Sequence, residues 1–202
     1  MIKKRCAGGL VGASALMLAL VPTGGAVALD TDPRAASASV TLLTCAIQTD
    51  STFERTGHAD QGLNYQTRDI GTEADTTTSG TCVDARTDKS ATGGHSITKY
   101  SAHSAMSLAN STCTAFSGSG TVDVTWTLDN NTTVTSSRAV SVPLGNVLET
   151  IPSSGEVESG LFAGATVEAE SLVSDLGLVQ LSCLTSTGLR SMHVTSLLEL
   201  VQ

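Results

Sequence analysis

The sequence predicts an all-β protein: an antiparallel β-sandwich, Ig-like or a partly closed barrel, stapled by two disulfides. Three observations carry that expectation. Apolar and polar residues alternate with period two in one segment after another, as half-buried strands require. No stretch beyond residue 28 repeats its apolar residues every 3.6 positions between helix caps. Four cysteines remain once an export leader is removed, and an even number in an exported chain implies paired sulfurs.

The leader comes first. Lys3, Lys4 and Arg5 form a basic start, residues 8–21 are uncharged and rich in Ala and Leu, and Ala26-Val27-Ala28 is a cleavage pattern. The apolar run is about 14 residues, shorter than the roughly 20 that span a bilayer, so a cleaved signal peptide over 1–28 is expected rather than an anchor. A lipoprotein is disfavoured because Cys6 lies within the basic start and Cys45 lies far beyond the apolar run. Residues 29–38 are expected to be a flexible lead-in, and 39–202 a single domain. The location that follows is extracellular.

Strands are expected at 40–49, 63–72, 76–83, 96–104, 107–116, 121–128 and 133–142, and later near 147–151, 166–170, 179–184 and 190–201. Thr121–133 shows the pattern best. Val122, Val124, Trp126 and Leu128 share one face, and Thr121, Asp123, Thr125 and Thr127 share the other, which is expected to meet water. Asp129-Asn130-Asn131 then reads as a hairpin turn, because Asn and Asp tolerate positive φ. The stretch 194–200 could form a short helix, but a final strand fits it better. Residues 84–94 read as a mobile loop.

Apolar residues are unevenly spread. Val, Ile, Leu, Met, Phe and Trp number 10 in 29–105 but 32 in 106–202. The first segment is so poor in them that it reads either as thin edge strands on a C-terminal core or as a weaker second lobe held by a disulfide. One compact unit is the preferred reading. Cys45, Cys82, Cys113 and Cys183 allow three pairings. Closure between nearest neighbours gives Cys45–Cys82 and Cys113–Cys183, each worth about 4 kcal/mol by chain entropy. No C-x-x-C occurs, which argues against a redox motif or a zinc knuckle.

Loss of Lys3, Lys4 and Arg5 leaves 8 basic against 19 acidic residues, a net charge of −11. Such a chain repels nucleic acid and anionic membranes, so neither is expected as a partner after cleavage.

A family resemblance rests on GLNYQT (62–67), STCTAF (111–116), GTVDVTWTLDNNTT (120–133), GEVESGLFAGATVEAE (155–170) and LSCLTSTGL (181–189). In this spacing the chain resembles small exported proteins of Streptomyces and related actinobacteria over most of 45–200. It departs from them where the Trp strand ends in Asp-Asn-Asn rather than Asp-Gly. The resemblance implies an exported all-β fold and nothing about catalysis.

The search for chemistry yields little. A G-x-S-x-G elbow is absent, and Ser119 sits in a glycine-rich stretch, SGSGT, that reads as a turn. A cysteine nucleophile is disfavoured because all four thiols are expected to be paired. His95 and His103 on one strand would stand about 26 Å apart, too far to share an ion. His58 with Asp60 reads as an exposed loop pair, and Asp30-Thr31-Asp32 lacks the rest of a calcium loop. No cofactor and no metal are expected. Glu149, Glu156, Glu158, Glu168 and Glu170 cluster in sequence, and the last four could line one solvent face across the Gly-Leu-Phe-Ala-Gly turn. Their simplest reading is a solvated acidic surface or a patch for a basic partner. The alternative is a small secreted hydrolase using carboxylates of 149–170. GEVESGLFAGA itself reads as a loop that plugs one end of the domain. Tyr65 and Tyr100 are candidate platforms for sugar, while Trp126 belongs to the core.

The function expected from sequence is therefore a non-enzymatic, extracellular binding or surface module. Its unknown ligand is a protein or a cell-wall glycan, and Tyr65, Tyr100, Glu156, Glu158, Glu168 and Glu170 are possible contacts. An inhibitor or toxin-like effector presenting 84–94 is a third reading. The alternating pattern leaves no room for an active centre inside the fold.

Overall fold

Alternation decides the architecture. In a computed structural model that describes residues 39–54, 71–109, 111–113, 115–146, 149–185 and 188–202, the expected strand around Trp126 is β4 (Ala115–Leu128). Val122, Val124, Trp126 and Leu128 are buried, and Thr121 and Asp123 face solvent. The same rule runs through β1 (Thr41–Glu54), β2 (Glu73–Asp84), β3 (Ile97–Ala109), β5 (Thr133–Asn146), β6 (Ile151–Gly160), β7 (Thr166–Val173) and β8 (Ser191–Val201). A helix, α1 (Leu176–Leu184), separates β7 from β8.

Each strand pairs antiparallel with the next, and β8 returns to β1, so the sheet closes into one eight-stranded barrel. The two-layer, Ig-like sandwich expected from sequence is thereby corrected. Glycine explains the difference. Gly80, Gly120 and Gly155 lie within strands, as expected for Gly80 but not for Gly120 and Gly155, which the sequence placed in a turn and a loop. A Cβ on Gly155 would come within 1.9 Å of the Ala139 carbonyl oxygen, and one on Gly80 within 2.2 Å of that of Ala46. Neighbouring backbones can approach this closely only without side chains, and such sites let a sheet curl on itself.

Further corrections concern single elements. The segments 96–104 and 107–116 were expected as two strands, whereas β3 runs unbroken to Ala109 and β4 starts at Ala115. The segment 179–184 is helical, not extended. Val179, Leu181 and Cys183 alternate with polar residues, which imitates a strand, but Val179 and Cys183 are also one helical turn apart and are the buried pair. The final strand, β8, forms as expected. The leader 1–28, the lead-in 29–38 and most of the expected strand 63–72 lie outside the described residues.

Two apolar clusters fill the ends of the barrel. The upper one, where β1 begins and β8 ends, includes Leu43, Ile97, Trp126, Leu198 and Leu200. The lower one includes Phe53, Phe116, Val179, Leu189 and Met192. One disulfide serves each. Cys45 and Cys82 face each other across the β1–β2 ladder, and Cys113 joins Cys183 of α1 to the β3–β4 connection. These are the pairings expected from sequence.

Peptide mapping under non-reducing conditions should recover the 45–82 and 113–183 linkages. Replacing Cys113 and Cys183 together by alanine should lower the free energy of unfolding in urea by about 4 kcal/mol. A loss under about 1 kcal/mol would show that α1 closes the lower end without the bridge.

Candidate ligand site in the barrel lumen

The two apolar clusters are distinct, and partly buried Met106 packs against both. Between them lies a cavity of about 110 Å³, walled by residues at the middle of the strands. Eight strands leave an interior just wide enough for side chains or one small ligand, and the side chains here are small. Ala169, Ser171 and Ser196 replace bulk on β7 and β8, and Thr49, Ser51, Thr76 and Thr78 do so on β1 and β2. The first strands therefore contribute hydroxyls where the later ones contribute most of the aliphatic bulk. The described strands of 29–105, β1 to β3, are neither a separate lobe nor a fringe of edge strands: they belong to the closed barrel and supply the polar wall of its lumen.

Several of the hydroxyls hold one another. Thr49 Oγ1 lies 3.1 Å from Thr78 Oγ1, Thr76 Oγ1 2.5 Å from Ser104 Oγ, and Ser171 Oγ 2.7 Å from Ser196 Oγ. Within the Thr49–Thr78 and Ser171–Ser196 pairs, one hydroxyl donates to the other and the second keeps its own proton to donate elsewhere.

Opposite that wall stands Arg138. It is in phase with Ser136, Val140 and Val142 on β5, so the strand aims it inward, where it is only 7% exposed. Val122 on β4 and Val157 on β6 flank it, and the β5–β6 register shifts beside it, between Ser137 and Arg138. Irregularities of this kind re-aim side chains. Its Nε and Nη1 have no hydrogen-bond partner among the described residues. Those two atoms carry three of the five N–H donors of a guanidinium, a group that stays charged in proteins. A buried charge without a partner typically costs on the order of 3–5 kcal/mol. The sequence carried a signal for it that was missed: a long cation on the apolar row of a strand.

The upper mouth is sealed by a chain of contacts. Arg86 donates from Nε and Nη2 to Asp84 at 2.9 and 2.7 Å, and its guanidinium lies 5.0 Å from the Phe162 ring centre. Phe162 sits in the turn after β6 at φ 71° and meets Trp126 edge-on at 5.5 Å. Trp126 meets Tyr100 at 5.2 Å, and Tyr100 borders the cavity. The Trp126 indole N–H donates to Ser136 Oγ at 2.9 Å, and Ser136 donates to the Leu161 carbonyl. The Leu-Phe-Ala-Gly turn thus caps a barrel end, but the expected plugging loop is only this part: residues 155–160 are extended in β6. The segment 84–94, expected as a mobile loop, is instead tied to the mouth by Asp84, which also accepts from the Ile97 N–H at 2.9 Å. Burial works to raise the Asp84 pKa. The hydrogen bonds from the Arg86 side chain, the Ile97 N–H and the Arg86 N–H together outweigh it and hold the carboxyl below its ordinary value.

The expected site residues fare differently. Tyr100 is buried and cannot serve as an exposed platform, although it reaches the lumen. Tyr65 lies outside the described residues, as do His58, Asp60, Asp30 and Asp32. Glu149, Glu156, Glu158, Glu168 and Glu170 are exposed on the outer surface. Glu168 and Glu170 border a shallow outer depression with Glu199, while Glu156 stands opposite Thr166. The four strand carboxylates therefore converge on no common cleft with the lumen. A larger depression, about 660 Å³, runs along β1, β2, β7 and β8, and Arg138 does not line it. The three described histidines pair with outer carboxylates: His95 Nδ1 with Asp129 at 2.7 Å, His103 with Asp75 at 2.8 Å, and His193 with Asp50. A backbone bond from Ser96, then the His95 contact, lowers the Asp129 pKa. No group of three metal-binding side chains occurs among the described residues.

No protein-family model and no curated protein sequence matches the chain. The lumen has to be read from its own chemistry.

Asp84 gives a pH test of the mouth. Its lowered pKa stabilises the fold above the unfolded carboxylate value of about 3.9, and that contribution is lost as pH falls through the folded value. Asp84→Asn should cost about 3 kcal/mol at pH 7 by stranding Arg86. The difference from wild type should shrink as urea unfolding is repeated from pH 5 down to pH 2. A constant difference would mean that ionised Asp84 contributes nothing to the seal.

Proposed function

We propose that the protein is an exported binding module that holds a small molecule inside a disulfide-stapled barrel and performs no chemistry on it. The observation that carries this reading is the cavity between the two apolar clusters, with hydroxyls and a guanidinium on its wall. A core built only for stability fills such space with methyl groups, because voids and buried polar atoms both cost. The lining supplies donors that orient a ligand. The His–Asp pairs, which could move protons, stand on the outer surface.

Other properties agree with an extracellular life. Both bridges are of the kind that persists in oxidising surroundings. The leader pattern at 1–28 supports export, and the resemblance to small exported actinobacterial proteins points the same way. The outer face carries Asp50, Asp75, His103 and Asp123 at mid-strand, whereas a barrel seated in lipid needs an apolar band there. In this reading the outer glutamates keep the barrel soluble, and the ligand is a small metabolite rather than a polymer or a protein.

Ligand-observed NMR against a library of small fragments tests the reading. Binders are expected, and Ala169→Leu, which adds bulk at the cavity wall, should abolish them. Circular dichroism and melting temperature check that the variant folds. A folded Ala169→Leu protein that retains every binder would place binding outside the lumen and sink the proposal.

A further inference from the structure

The lumen is matched to one class of ligand. We infer that it binds a small organic carboxylate, with the negative charge on Arg138 and the short carbon skeleton against the apolar wall. The inference rests on the lumen being the binding site and adds the charge and size of the occupant.

Charge comes from Arg138. A cation buried this deeply, with three N–H donors unmet by the described residues, is matched by an anion that accepts from them, and neutral acceptors match it less well. Among the described residues Arg138 enters no ion pair, and the acidic side chains near it in sequence point outward. The second oxygen of a carboxylate finds donors across the lumen, where Thr49–Thr78 and Ser171–Ser196 each retain a free hydroxyl proton. Size comes from the cavity. A void of about 150 Å³ is known to hold benzene, so about 110 Å³ suits a skeleton smaller than that ring. Hydrophobicity comes from Met106, Phe116, Val140 and Met192, which line the same space and favour a short alkyl group. An inorganic anion would present no apolar surface to the cavity-facing sides of those four residues.

The test uses the oxidised protein, ¹⁵N-labelled, titrated with propionate and butyrate and with their neutral shape mimics, propionamide and butyramide. The acids are expected to shift the Arg138 Nε–H resonance and to bind about 10- to 100-fold more tightly than the amides. Arg138→Met should reduce the acids to the level of the amides. That variant removes a buried charge and is expected to melt no lower than wild type, which keeps the comparison interpretable. Ala169→Leu should abolish binding of the acids as well. Equal binding of acids and amides, unchanged in Arg138→Met, would overturn the carboxylate while leaving the lumen as a neutral site. Acid binding that survives Ala169→Leu would move the anion elsewhere and overturn it too. If inorganic chloride or phosphate competes as well as propionate, the organic skeleton is superfluous and the assignment fails. Absence of acid binding in a protein whose lumen takes other fragments would defeat the carboxylate alone. Absence of any lumen ligand would defeat both readings.

Discussion

Everything in this structure depends on the seam between β1 and β8. Leu43 and Cys45 meet Leu200 and Leu198 across it, and all four are buried completely. Without that pairing the sheet would keep two open edges, and its inner row would need a second layer to cover it. With it, the sheet covers itself. Closure also fixes which residues face inward on every strand, since a one-residue slip would turn each apolar row to solvent. The barrel and its lumen are therefore one decision.

The lumen follows from how the inner rows are filled. Large apolar side chains sit at the strand ends, where the mouths must be shut, and small or hydroxylated ones sit at the middle. Trp126, Phe162 and Arg86 shut one mouth, and α1 with its disulfide shuts the other. The space left between is polar on the β1–β3 side and cationic on the β5 side. Interiors are normally packed to the density of organic crystals, so a walled space with unmet donors marks a place where packing has yielded to another demand.

Much of this was legible in the sequence. The alternation around Trp126 gave its strand, its buried face and its wet face. Pairing nearest neighbours along the chain matched both bridges, but the reason holds for one: Cys45 and Cys82 are partners in the β1–β2 hairpin, whereas Cys113 and Cys183 meet only because α1 folds back over the β3–β4 end. What escaped notice did so for physical reasons. Gly120 and Gly155 look like a turn and a loop, because a glycine that lets a sheet bend and one that lets a chain reverse are alike in sequence. Val179, Leu181 and Cys183 satisfied two periodicities at once, and nine residues are too few to separate them. Tyr100 reads as a surface platform by residue type alone, although its alternation with Ala102 and Ser104 places it inside. Arg138 was passed over because a charge is assumed to face water. Its phase with Val140 and Val142 said otherwise. The carboxylates at 156, 158, 168 and 170 did turn out exposed, but the chain pattern could not show that the polar face needing attention was the inner one.

The seam has a further consequence in time. It joins the first and last strands of the domain, so Asp50 meets His193 across 143 positions of chain. Contacts so distant in sequence form late and slow a fold, because the loop entropy is spent before the ladder repays it. The Cys45–Cys82 bridge alters that order of events. By locking β1 to β2 it gives the returning β8 a rigid edge to dock against, rather than a strand that must be captured from solution. Oxidation of this pair should therefore govern how fast a newly made chain closes as well as how long it stays closed.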